Sequence, residues 1–149
     1  MTNASLPLAP LDARIRLAAL WTATMLIVAF VDIFGFYRHD IREQIEAGRV
    51  LDFEIDQVFM LAIVAYVIVP TLMIVLCTLL PYQANRITNL VVALIFAVTI
   101  VGAAIGEWGY YLFASAVELG LLAAIVTLAL RWTVPATQAS PASLAPASV

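Results

Sequence analysis

Four apolar runs, each about as long as a lipid bilayer is thick, fill most of this 149-residue chain and leave only short polar links between them. A hydrocarbon core of about 30 Å needs about 20 helical residues at a rise of about 1.5 Å each. Spans are therefore expected at about 16–36, 57–80, 86–105 and 110–131. Lipid offers no partner to a backbone N–H or C=O, so each run must satisfy its own as a helix. The expected fold is all-α: an integral membrane bundle of four transmembrane helices, with a short interfacial helix between the first and second. A mean hydropathy of +1.05 with only 11% charged residues is far from the composition of a soluble domain and removes that class.

The first run, RIRLAALWTATMLIVAFVDIFGFY at 14–37, carries an acid, Asp32. About ten Leu, Ile, Val or Phe residues each favour insertion by about 0.3 to 0.6 kcal/mol, against a cost of about 2.5 to 3.5 for a central aspartate. The two sums are comparable, so position decides. Asp32 stands about one turn from the end of the run, where water relieves its desolvation. The residues before the run hold no basic region and no small-residue cleavage site, so it reads as a retained helix rather than a signal peptide, with 1–13 as a cytoplasmic segment.

The links are informative. In RHDIREQIEAGRV, Asp40 is expected to cap a short surface helix, Arg42 to pair with Glu46, and Gly48 to stop it. Pro70 interrupts the second span and shapes its packing, and Pro81 ends it. NRITN then opens the third span; Asn85 and Asn89 lie one turn apart, so with Arg86 they are candidate contacts to headgroups, a neighbouring helix or a ligand. Gly102 and Gly106 form a GxxxG pair, expected to let another backbone approach within the bundle or in a homodimer. Glu107, Trp108, Tyr110 and Tyr111 mark an aqueous turn with an aromatic belt. The fourth span carries Glu118 and ends at Arg131 and Trp132; the Pro/Ala/Ser-rich 133–149 reads as a disordered tail, leaving 14–132 as the one membrane domain.

Several chemistries are excluded. All seven basic residues are arginines spread along a chain of net charge −3, so the clustered basic face that nucleic acid requires is missing. Cys77 is the only cysteine and His39 the only histidine, which rules out an internal disulfide, a dithiol pair or a Cys/His zinc site in one chain. No phosphate loop, GxSxG elbow, HExxH or histidine-activated nucleophile occurs, so the chain is expected not to be an enzyme and to carry no cofactor or metal.

Arg14, Arg16, Arg86 and Arg131 fall on one side of the membrane, and Arg38, Arg42 and Arg49 on the other. The first side is read as cytoplasmic, with both termini there. This topology brings Asp32 and Glu118 into the same outer half of the bundle, where Tyr111, Ser115 and Glu118 share a face of the fourth helix. These four residues are the candidate polar pocket, binding or passing a proton, a cation or a small molecule. The bland alternative has Glu118 hydrogen-bonded across helices to serine, tyrosine or asparagine as a purely structural group. Two other functions stand beside the pocket: an accessory subunit packing against a membrane-protein partner through the glycine face, and, more remotely, a quinone- or lipid-linked membrane enzyme.

The run RLAALW…D.FGF, then NRITNL opening a helix, a glutamate in the fourth span and a closing RW resemble an uncharacterised family of small bacterial four-helix membrane proteins, the domain of unknown function family 6326. The matching positions are Leu20, Trp21, Asp32, Gly35, Asn85, Arg86, Asn89, Glu118 and Trp132, and the resemblance covers about 14–132. It implies a four-span protein of the bacterial inner membrane and brings no activity, cofactor or site residue with it.

Overall fold

The computed structural model describes residues 12–50 and 53–132. The tail at 133–149 and nearly all of the N-terminal segment lie outside the described residues. Five helices run α1 (Ala13–Gly35), α2 (His39–Glu46), α3 (Gln57–Leu79), α4 (Tyr82–Ala103) and α5 (Gly109–Arg131). All but α2 are long and apolar enough to cross a membrane.

The expected spans and the short helix are present, with local differences. The third span begins at Tyr82 because Pro81, whose fixed φ suits a helix entrance, stands immediately before it. Asp12 and Asp56 cap α1 and α3, their carboxylates accepting from the backbone N–H of Arg14 (2.9 Å) and Phe59 (2.7 Å). Asp40 does not cap α2. Arg38 occupies that position and Asp40 falls in the first turn. The side-chain pair along α2 is His39 with Glu43 at 3.7 Å, rather than Arg42 with Glu46. Gly48, at φ 73°, ends this segment as expected and leads into a two-stranded antiparallel hairpin, β1 (Arg49–Val50) and β2 (Phe53–Glu54). Pro70 is buried inside α3 without ending it.

α1 packs against α3 and α5, and α5 packs also against α4. The remaining neighbours, α3 and α4, touch least. Burial is inverted relative to a soluble protein. Large apolar side chains such as Phe30, Leu61, Leu94 and Phe113 are exposed, while Thr24, Asn85, Asn89, Ser115 and Glu118 are buried. Lipid tails are as apolar as leucine, so such helices are held together by packing and polar contacts rather than by hiding oil from water. The apolar core gathers around Trp21, Phe96, Met73, Leu122 and Ile125.

The two ends of the bundle are pinned differently. At the turn end, where α3 meets α4, Arg14 donates to the Thr78 carbonyl (3.2 Å) and Tyr82 to the Trp132 carbonyl (2.7 Å). At the hairpin end, the Arg38 side chain pairs with Asp40 at 2.5 Å and with Glu107, and its guanidinium lies 4.5 Å from the Trp108 ring centre. That clasp joins the α1–α2 link to the α4–α5 turn.

Candidate functional site

Between the four long helices, toward the hairpin end, lies a cavity of about 300 Å³. α1 supplies Val28, Val31 and Asp32 to its wall, and α3 supplies Ile63 and Tyr66. Thr99, Ile100 and Ala103 come from α4, and Tyr111 and Glu118 from α5. The apolar share follows from helix period: residues three or four apart, such as Val28 with Val31 or Ile100 with Ala103, repeat on one face.

The two acids differ in setting. Asp32 is exposed on the cavity wall, whereas Glu118 is 5% exposed. Asp32 is near enough for Glu118 to feel its charge. Glu118 forms no hydrogen bond or ion pair among the described residues. No side-chain nitrogen or oxygen sealed away there lacks a partner, so the Glu118 oxygens keep open surface on the cavity side. The cross-helix bond to serine, tyrosine or asparagine that would make this glutamate purely structural is not formed.

Tyr66 spans the sparse α3–α4 seam. Its hydroxyl lies 2.8 Å from Thr99 Oγ1, and Thr99 donates its own proton to the Phe96 carbonyl at 2.9 Å. A hydroxyl has one proton to give, so Tyr66 is the donor in that pair. The Tyr66 ring stacks on Phe96 with centres 4.6 Å apart. Beside it, Ile63, Thr99 and Ala103 are exposed on the outside of the bundle, so the cavity reaches the apolar surface along this seam.

Of the four residues read as a pocket, Asp32, Tyr111 and Glu118 line this cavity and Ser115 does not. Ser115 is buried on the same stripe of α5, but its short side chain stops before the space that Tyr111 and Glu118 reach. Tyr66 and Thr99, missed in the sequence, complete the wall. Their only signal was a hydroxyl inside an otherwise apolar run.

The headgroup and ligand readings of Asn85 and Asn89 are corrected. Both are fully buried and bonded within the bundle. Pro81 has no N–H, so the Cys77 carbonyl four residues earlier lacks its helical donor, and Asn85 Nδ2 takes that place at 2.5 Å. Asn89 Nδ2 donates to Asn85 Oδ1 (2.7 Å) and to the Asn85 carbonyl (2.8 Å), and Asn89 Oδ1 accepts from Trp21 Nε1 at 2.7 Å. Arg86 remains half-buried beside them.

The glycine pair is corrected too. α4 ends at Ala103, so Gly106 is not on the helix; it takes φ 81° in the turn beyond. A methyl group built on Gly102 would meet nothing within 4 Å. The two glycines therefore make no close-packing stripe within the bundle.

The described residues hold no group of three or more His, Cys, Asp or Glu side chains placed to bind a metal ion. A family model described as "Family of unknown function (DUF6326)" matches residues 12–139. The chain belongs to that family. The match takes in all five helices, the cavity and the asparagine network, so both polar regions lie within what defines the family's extent. No curated protein and no solved structure matches the chain.

Proposed function

We propose that this DUF6326 member is a small, non-enzymatic, multi-pass protein of a bacterial inner membrane, with both termini cytoplasmic, that binds or passes a proton, cation or small molecule at the hairpin-end cavity. One observation carries the reading. Glu118 is 5% exposed, has no hydrogen-bonding partner among the described residues, and faces a cavity that Asp32 shares. Burying a carboxyl without a partner costs stability, and such groups inside membrane helices mark ligand or ion paths. The residues that line the cavity all come from one bundle.

The groups facing Glu118 are Asp32 from α1, Tyr66 from α3 and Tyr111 on α5, while α4 offers the neutral Thr99. The test is the melting temperature of the purified full chain between about pH 5 and 9, with and without sodium, for wild type and Glu118→Gln. The expected result is a pH or sodium response in wild type that the variant lacks. A wild-type protein indifferent to both, with a variant destabilised throughout, would return Glu118 to a structural role.

A further inference from the structure

The cavity has more room and more apolar wall than a bare ion needs. At about 300 Å³ it falls in the range of small-molecule sites. A hard metal cation takes about six or more oxygen ligands, and no group of three or more acids, histidines or cysteines is gathered among the described residues. The wall nevertheless carries two carboxyl groups and no basic side chain. Arg38, beyond the end of α1, is engaged by Asp40 and Glu107, and Arg42 and Arg49 lie out on α2 and β1. The Tyr66 and Tyr111 rings add π-faces, to which a weakly hydrated cation is attracted. Toward the outside, the wall becomes Ile63, Thr99 and Ala103, exposed where α3 and α4 touch least. An acid at the floor, aromatic faces beside it and an apolar slot opening to the bundle surface together describe one kind of molecule.

We propose that the cavity takes an organic cation with an apolar body, its ammonium group at Glu118 and its body lying in the α3–α4 seam beside Ile63, Thr99 and Ala103. This inference rests on the reading of the cavity as a ligand site and names the class of ligand. The positive head supplies the partner that the buried carboxylate lacks, and the body replaces lipid along the seam without exposing polar backbone. Asp32, on the same wall, attracts the charge that Glu118 holds.

The test uses the full chain in nanodiscs of uncharged lipid, titrated calorimetrically against empty nanodiscs. The probes are benzyltrimethylammonium, tetramethylammonium (the head without the body) and benzylsulfonate (a body with the opposite charge). Saturable binding of the first is expected, with the second weaker by about tenfold or more and the third absent. Glu118→Gln is expected to weaken benzyltrimethylammonium by about tenfold or more. Asp32→Asn, at an exposed position that does not endanger folding, should weaken it by about threefold. Thr99→Trp, which fills the seam from outside, should lower affinity about tenfold. Equal binding of tetramethylammonium, binding of the sulfonate, or indifference to both Asp32→Asn and Thr99→Trp overturns the proposal. Absence of benzyltrimethylammonium binding with the Glu118-dependent pH or sodium response intact rejects the organic cation alone. Absence of both rejects the ligand site itself.

Discussion

The two buried polar regions of this bundle use similar side chains to opposite ends. At the turn end, Trp21, Asn85, Asn89 and Cys77 form a closed set in which donors meet acceptors, down to the carbonyl that Pro81 leaves without its donor. At the hairpin end, Glu118 is also buried, at 5% exposure, and has no such partner among the described residues. Polar groups in apolar surroundings hold helices together only when satisfied, and those left open are retained for something other than stability. Comparing them separates glue from site within one protein.

The comparison breaks most directly at Asn89. Interhelical hydrogen bonds in membranes average about 0.6 kcal/mol. Asn89→Ala removes the bond to Trp21, two to Asn85 and the weaker contacts to Cys77, and strands the buried Trp21 Nε1, so a loss of about 2 kcal/mol in unfolding free energy is expected. Reversible unfolding in mixed micelles would measure it. Parity with Glu118→Gln would remove the distinction between the two regions.

Arg38→Ala comes next, at about 1 kcal/mol, because it removes the stack on Trp108 along with two partly solvated ion pairs. Its pH dependence has a definite sign. The Arg38 hydrogen bond holds the Asp40 carboxyl below the ordinary carboxylate range. That contribution is therefore complete above the unfolded value and lost as pH falls through the lower folded one, below about pH 4. Asp40→Asn should flatten this acid limb in a melting series, and an unchanged limb would assign it elsewhere.

Gly102→Ala sharpens the picture by a smaller amount. With nothing near the added methyl group and a helical backbone to stiffen, it should stabilise by about 0.5 kcal/mol. A marked loss of stability would show that another chain approaches this face after all. Smallest is Glu118→Gln at neutral pH, expected within about 0.5 kcal/mol of wild type or slightly above it, since no bond is broken.

Much of this architecture was legible from the chain because lipid permits so few solutions. Four apolar runs must be helices, whereas the caps were not legible: Asp40, expected to cap, does not, and Asp12 and Asp56 do. The spacing of Asn85 and Asn89 showed one shared face but could not show which way it turned; that depended on Trp21, 68 residues away, and on the carbonyl orphaned by Pro81. The β1–β2 hairpin has strands of two residues, too short for any alternation to register. Gly102 and Gly106 matched a pattern whose meaning requires a helix beneath both, and α4 stops between them. Asp32, Tyr111 and Glu118 were readable because carboxyls in apolar runs are costly. Tyr66 and Thr99 were not, because a lone hydroxyl in such a run satisfies itself on its own helix as often as it reaches a neighbour.

The bond between those two hydroxyls bears on how anything enters. One membrane hydrogen bond of about 0.6 kcal/mol and one ring stack of about 0.5 to 1.5 kcal/mol hold Tyr66 across the seam. Their sum corresponds to a ratio of about ten between the held and the released side chain. A side chain held that lightly moves aside on thermal motion, so this wall of the cavity can widen without the helices coming apart.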